Sequence, residues 1–335
     1  MPAEGNSVGL QGAPLPAPPP SRIALPRGAT IPIALAVFSL ILIGIGEVLS
    51  PGYASAKNML QLLKLSSFLG IIAVGQTLVI LAGGIDLSVA WVLTAAAFAF
   101  TTVTQGHAAL IVQGLLAALA VGAGVGLVNG VGVARLHISP IVMTLATNSI
   151  MQGGTLVVTS GSPLGVPDLV RLVATGSVGP LPIMTLLWAG VTAVVVIAVA
   201  MTSGGRKLLS VGENPRVSFL SGIDNDAVTI VAYTLSGLSA AVAGVLFAGF
   251  SATSFLGMGD QFVLPSIAAV VLGGTSILGG QGGYGGTVLG VIFITLLSTD
   301  LLMGNISPGL RNIIFGLALI CAVLSHRVLL RGESE

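Results

Sequence analysis

In a chain of 335 residues, charged residues make up 7% and hydrophobic ones 54%; a soluble domain carries roughly 25% charge, so water is excluded as the main solvent. Mean hydropathy is +1.05, and in lipid the backbone must satisfy its own hydrogen bonds, which leaves helices or a closed barrel. The apolar runs are continuous and lack period-two alternation, which selects an all-α polytopic membrane protein.

Residues 1–29 hold Pro14, Pro16, Pro18, Pro19, Pro20 and Pro26 and read as a disordered tail. The apolar run that follows begins too late and is too long for a cleaved signal peptide, so it is a retained span. Stretches of about 20 apolar residues cross a membrane as helices. They fall near 30–50, 61–82, 86–104, 108–134, 139–159, 181–201, 227–254, 262–280, 286–304 and 308–325, about ten spans in a membrane body over 30–326. Gly83-Gly84 and Gly273-Gly274 interrupt apolar sequence. With the N-terminus inside, the cytoplasmic side collects Arg22, Arg27, Arg135, Arg206, Lys207, Arg216, Arg327 and Arg331. The outside collects Lys57, Lys64, Arg171 and Arg311. This bias puts both termini in the cytoplasm, with a short tail at 327–335. Of two long loops, 160–180 lies outside and 202–226, densest in charge, lies inside.

Small residues recur at four-residue spacing in Gly122, Gly126 and Gly130, in Ser236, Ala240, Gly244 and Ala248, and in Gly282, Gly286 and Gly290. Such stripes let helix backbones approach closely, within the chain or at a subunit interface. The single Cys321 allows no internal disulfide and no Cys-rich metal site. His107, His137 and His326 are scattered near span ends and read as interfacial.

Polar groups at membrane depth are costly and mark function by default. The densest cluster is Gln76 followed by Gly83-Gly84-Ile85-Asp86-Leu87-Ser88. Asp86 either caps the third span or lies in a broken helix that lines a transport path. Asn129, Asn148, Gln152, Asp300 and Asn305 are further polar positions, and Asn148 and Gln152 share one helix face. Neutral amides suit a hydroxyl-rich ligand and equally suit bonds between helices. Asp300 falls near the outer, solvated end of its span.

The loop 202–226 predicts a short helix starting at Pro215, capped by Asn214 and stopped at Gly222. It shows Val217, Phe219 and Leu220 among polar residues. That pattern fits a soluble partner's groove or the lipid surface. The sequence holds no Gly-x-x-x-x-Gly-Lys-Ser/Thr phosphate loop, His-Glu-x-x-His helix or Gly-x-Ser-x-Gly elbow. It offers no catalytic set and no ATP site of that kind, and no basic stretch for nucleic acid.

Several stretches resemble the membrane permeases of ABC-type monosaccharide importers, the ribose, xylose, arabinose and galactoside class. They are Gly75–Ile80 with Gly83–Val89, Pro140–Thr147, Gly212 and Asn214 with Ser221-Gly222-Ile223, and Ile267–Ser276 with Gly279-Gly280 and Gly286-Thr287. The resemblance covers about 58–325. It implies a type II ABC importer-like fold and import of a monosaccharide or small polyol across a bacterial inner membrane. It implies two ATPase subunits, which hold the ATP and magnesium so that this chain needs no cofactor. A second permease copy, identical or paired, and a periplasmic sugar-binding protein complete the set. Gly212, Glu213, Asn214, Arg216, Ser221, Gly222 and Ile223 then form the ATPase-coupling loop. Gln76, Gly83, Gly84, Asp86, Ser88, Asn148 and Gln152 line the path. Three positions depart from the pattern. Ala90 replaces a frequent Gly, Arg216-Val217 stand where alanines are frequent, and Val263 and Pro265 stand where Glu and Asp are frequent. Branched-chain amino acids remain an alternative cargo, and ion-coupled transport centred on Asp86 an alternative mechanism.

Overall fold

The computed structural model describes residues 30–159 and 164–331, apart from the side chains of 30, 164, 322 and 324–331. The expected tail at 1–29, with Arg22 and Arg27, lies outside the described residues, as do 332–335 and the side chains of His326, Arg327 and Arg331.

Helix α1 (Thr30–Leu49) turns at 50–55 into α2 (Ala56–Leu81). The Glu47 carboxylate accepts the N–H groups of Gly52 and Ala54, both at 2.8 Å, which closes that turn. After the loop 82–88 come α3 (Val89–Thr104), α4 (Ile111–Ala134) and α5 (Pro140–Thr159). The segment expected as an outer loop holds β1 (Leu164–Gly165), α6 (Asp168–Thr175) and the hairpin of β2 (Ser177–Val178) with β3 (Leu181–Pro182). Helix α7 (Ile183–Met201) leads to α8 (Ser203–Glu213) and α9 (Pro215–Leu220). The chain then forms α10 (Asn225–Ser251), β4 (Thr253–Ser254), α11 (Val263–Leu272), α12 (Tyr284–Met303) and α13 (Pro308–Arg331). Strand β4 pairs antiparallel with β1.

Among the described residues, 7 helices are long and apolar enough to cross a membrane. Shorter apolar helices cover Val89–Thr104, Asp260–Leu272 and Pro308–Cys321. Each expected apolar segment is therefore helical, with one correction. The run at 262–280 is not one span, because α11 stops at Leu272 and Gly274, Gly279, Gly280 and Gly282 take positive φ. Ten residues of helix rise about 15 Å, half of the roughly 30 Å hydrocarbon core. The helix of α11 thus covers only part of such a core, and the loop 273–283 leads from its end into α12.

The small-residue stripes are consumed inside the chain. A Cβ on Gly122, Gly126 or Gly130 would strike the α10 backbone at Gly237, Tyr233–Thr234 or Ile230. These contacts run in opposite directions along the two chains, so α4 and α10 are antiparallel. Gly244 abuts Leu93 of α3, and Gly286 and Gly290 abut Gly273 and Ala269 at α11. In lipid such close approach replaces the hydrophobic drive that water would supply. Trp188 fits against Gly70, and its indole N–H donates to the Tyr284 hydroxyl (2.9 Å), which donates to the Gly70 carbonyl (2.7 Å).

The same pairings sort the cations into two ends. The C-terminal end of α2 meets α8, and the end of α4 lies beside the start of α10, so Arg135, Arg206, Lys207 and Arg216 share one end. Lys64 reaches the carbonyl of Thr175 (3.4 Å) at the other end, where Arg171 of the same helix α6 also lies.

Candidate functional site

The loop 82–88 forms because Gly83 turns at φ +86 and Gly84 sits hard against the Tyr233 hydroxyl, where no larger residue fits. This delivers Asp86 into the interior at 1% exposure. Asp86 does not cap α3; Ser88 occupies the cap position, and its side chain makes no cap bond. Instead the Ser88 N–H and hydroxyl both donate to Oδ1 of Asp86, at 2.9 and 2.6 Å. The Ser236 hydroxyl of α10 donates to Oδ2 at 2.7 Å. The network extends outward, since Asn129 of α4 donates to the Ser88 hydroxyl (2.9 Å) and Thr147 of α5 donates to Asn129 (2.8 Å). One carboxylate thereby ties the 82–88 loop to α10 and, through Ser88, to α4 and α5. A buried charge is tolerated when its acceptor sites are filled in this way.

A second cluster lies at the α8 end. Gly212 packs onto the Leu81 carbonyl that closes α2, and the N–H of Gly280 donates to that same carbonyl (3.0 Å). Gly279 rests on Gly83 and on the Gly212 carbonyl, and Gly280 rests on Glu213. Three loops therefore meet through bare backbone: 82–88, the α8–α9 junction and 273–283. These glycines stand far apart in the sequence, which gives no sign that they touch.

Beyond the junction, Asn214 caps α9 by accepting from the N–H groups of Arg216 and Val217, both at 3.1 Å. Gly222 turns at φ +80 after the helix, as the sequence predicts. Asn225 ties the start of α10 to the Pro215 carbonyl (2.7 Å). Glu213, Asn214, Arg216, Ser221 and Gly222 are exposed and Ile223 is half-buried. Val217, Phe219 and Leu220 are 56%, 70% and 78% exposed, although α9 lies outside every candidate span. Helix α8, which carries this unit on α7, was not anticipated; its glycines and short polar run hide an amphipathic pattern.

The remaining path candidates make no hydrogen bond to the Asp86 network among the described residues. Gln76 is fully buried in α2 and its amide has no partner among the described residues. Asn148 is half-buried and Gln152 exposed on α5. Asp300, expected near solvent, is buried beside Tyr53. Among the described residues no cluster of His, Cys, Asp and Glu could hold a metal. The departures are also placed: Ala90 packs on Gly259, and Val263 and Pro265 sit in the first turn of α11, where proline needs no amide partner. Ser236 and Thr147 were missed as site residues; only their small-residue and hydroxyl character marked them.

A bundle of lipid-length helices around a buried polar network centred on Asp86, with a broken α11 and an apolar helix projecting beyond the spans, defines a multi-pass membrane transport protein. A family model described as "Branched-chain amino acid transport system / permease component" matches residues 58–323. The chain belongs to that family of transport permeases. It is 35% identical to the ribose import permease protein of Escherichia coli (strain K12) over 294 residues, 85% of this chain and 90% of that protein. It is 33% identical to the ribose import permease protein of Bacillus subtilis (strain 168) over 86% of this chain and 90% of that one. The autoinducer 2 import system permease protein of Escherichia coli O157:H7 is 29% identical over 89% of this chain and 93% of its own length. No solved structure matches.

Proposed function

We propose that this chain is the membrane-spanning subunit of an ATP-binding cassette importer for a monosaccharide or related small polyol in a bacterial inner membrane, with both termini cytoplasmic. A separate ATPase subunit holds ATP and magnesium and docks on α9 and the residues Gly212 to Ile223. The supporting observation is the α8–α9 unit: its apolar face is exposed outside the spans, and Gly212 seats it directly on α2 and on the 273–283 loop. A motor that shifts α9 thereby moves two broken segments of the membrane domain at once. Relatives named for ribose and autoinducer 2 import favour a polyhydroxylated cargo over the branched-chain amino acids of the family description.

In this reading Asn148 and Gln152 face the path, which a second permease copy, identical or paired, completes opposite α5. Gln76, Gly83, Gly84, Asp86 and Ser88 shape its inner wall. A soluble binding protein delivers the sugar at the end that carries Lys64 and Arg171. Ion coupling through Asp86 is disfavoured, because both its oxygens are occupied and its side chain is buried.

The test is uptake of labelled pentoses, hexoses and polyols into proteoliposomes holding this chain, its ATPase and its binding protein. Uptake that requires all three proteins and ATP on the α9 side supports the assignment. Uptake by the chain alone that collapses with an uncoupler overturns it.

A further inference from the structure

Outside the site just described, an apolar groove of about 630 Å³ lies between α2, α7, α8 and α10. Its walls include Val74, Val194, Ala198, Val231, Leu235 and Val242, and its mouth is formed by Thr202, Gly204, Gly205 and Lys207. Among the described residues Lys207 makes no ion pair, and its neighbour Arg206 is also exposed. Along α7 the groove runs from Val191 to Thr202, eleven residues and about 16 Å of helical rise. That is one leaflet of a roughly 30 Å hydrocarbon core.

We infer that this groove is a binding site for an anionic phospholipid, with one acyl chain between α7 and α10 and its phosphate at Lys207. Three observations fit that occupant. The walls offer almost no polar group to a sugar or a peptide, whereas an acyl chain asks for none. The height ends at the mouth after one leaflet. The single charge at that mouth is an unpaired cation at the level where headgroups lie, and basic pockets between spanning helices select acidic headgroups. A zwitterionic lipid would fill the same groove with its phosphate charge already compensated, so selectivity for the anionic headgroup is the distinguishing feature. The inference does not depend on the transport reading.

The experiment is native mass spectrometry of the purified full chain in detergent, titrated with phosphatidylglycerol or with phosphatidylcholine of identical acyl chains. The intact protein should retain phosphatidylglycerol about fivefold more strongly, the weight of one cation at the headgroup level. Lys207→Gln should abolish that preference while both lipids still bind. Ala198→Phe, which fills the groove, should reduce retention of both. Thermal unfolding of each variant in detergent confirms that the fold is kept; Lys207 is exposed, so its replacement must melt with the parent. Equal retention of the two lipids by the parent, or an unchanged preference in Lys207→Gln, overturns the site. So does a disulfide between two copies through Val194→Cys, which would assign the groove to a subunit contact.

Discussion

The Asp86 loop and helix α9 reverse the ordinary placement of residues in opposite ways. The loop puts a carboxylate at 1% exposure inside an apolar bundle. Helix α9 puts Phe219 and Leu220, at 70% and 78% exposure, outside the spans. Burial of the first is stable because both carboxylate oxygens receive donors from within the chain. Exposure of the second is unexplained within the chain and calls for a partner. A residue out of place and satisfied holds a structure together, and a residue out of place and unsatisfied marks a surface.

That contrast is broken most directly at Asp86. Asp86→Leu leaves the hydroxyls of Ser88 and Ser236 and one backbone N–H without an acceptor, so the loss should be about 3 kcal/mol or more. Asp86→Asn keeps an oxygen for Ser88, and Ser236 can accept where it donated; the cost should fall to about 1 kcal/mol. Thermal unfolding in detergent separates the two. Equal melting of Asp86→Leu and the parent would show that the network contributes nothing to the fold.

The opposite pole is tested on α9. Replacing Phe219 and Leu220 together by Ser should leave the melting of the isolated chain within about 0.5 kcal/mol of the parent, since both are exposed. Affinity for the partner ATPase should drop by about thirtyfold, the effect of losing a buried apolar anchor worth about 2 kcal/mol. Binding measured by surface plasmon resonance with the partner in solution reads this out, and an unchanged dissociation constant would remove α9 from the docking surface.

The two poles are joined at Gly212, and that joint sharpens the comparison. Gly212→Ala pushes a methyl group into the Leu81 carbonyl. Overpacking of this kind should cost about 2 kcal/mol. It should also lower ATP-driven uptake while ATPase binding to α9 persists, because α9 itself is untouched. Loss of binding in step with loss of uptake would mean that the junction only props α9 up and transmits nothing.

The helices were legible because a span is a local property: twenty apolar residues declare it wherever their neighbours lie. The α9 cap and stop were legible for the same reason, Asn214, Pro215 and Gly222 being adjacent in sequence. What the sequence did not disclose is where distant segments meet. Asp86 looks like a helix cap from its neighbours alone; only the arrival of Ser236, 150 residues away, turns it into a hub. The Gly212–Leu81–Gly280 contact is likewise made of backbone atoms, which every residue has and no pattern announces. Helix α11 reads as a full span by hydropathy, because hydropathy does not register the positive φ of Gly274, Gly279 and Gly280.

The smallest expected effect on the fold, and the most informative about the path, belongs to Gln152. It is exposed on α5 beside the half-buried Asn148, within a helix of span length. An amide facing hydrocarbon leaves its donors and acceptor unmet, so Gln152→Leu at a lipid-facing position should stabilise the chain and leave uptake alone. At a position facing a hydrated path, the amide is already satisfied by water or by a substrate hydroxyl. The same substitution then changes stability by less than about 0.5 kcal/mol and lowers uptake about tenfold, the weight of one or two lost hydrogen bonds to the cargo. Measuring melting and ATP-driven uptake on the same preparation separates the cases. A stabilised and fully active Gln152→Leu would turn this face of α5 toward lipid and move the path elsewhere in the bundle.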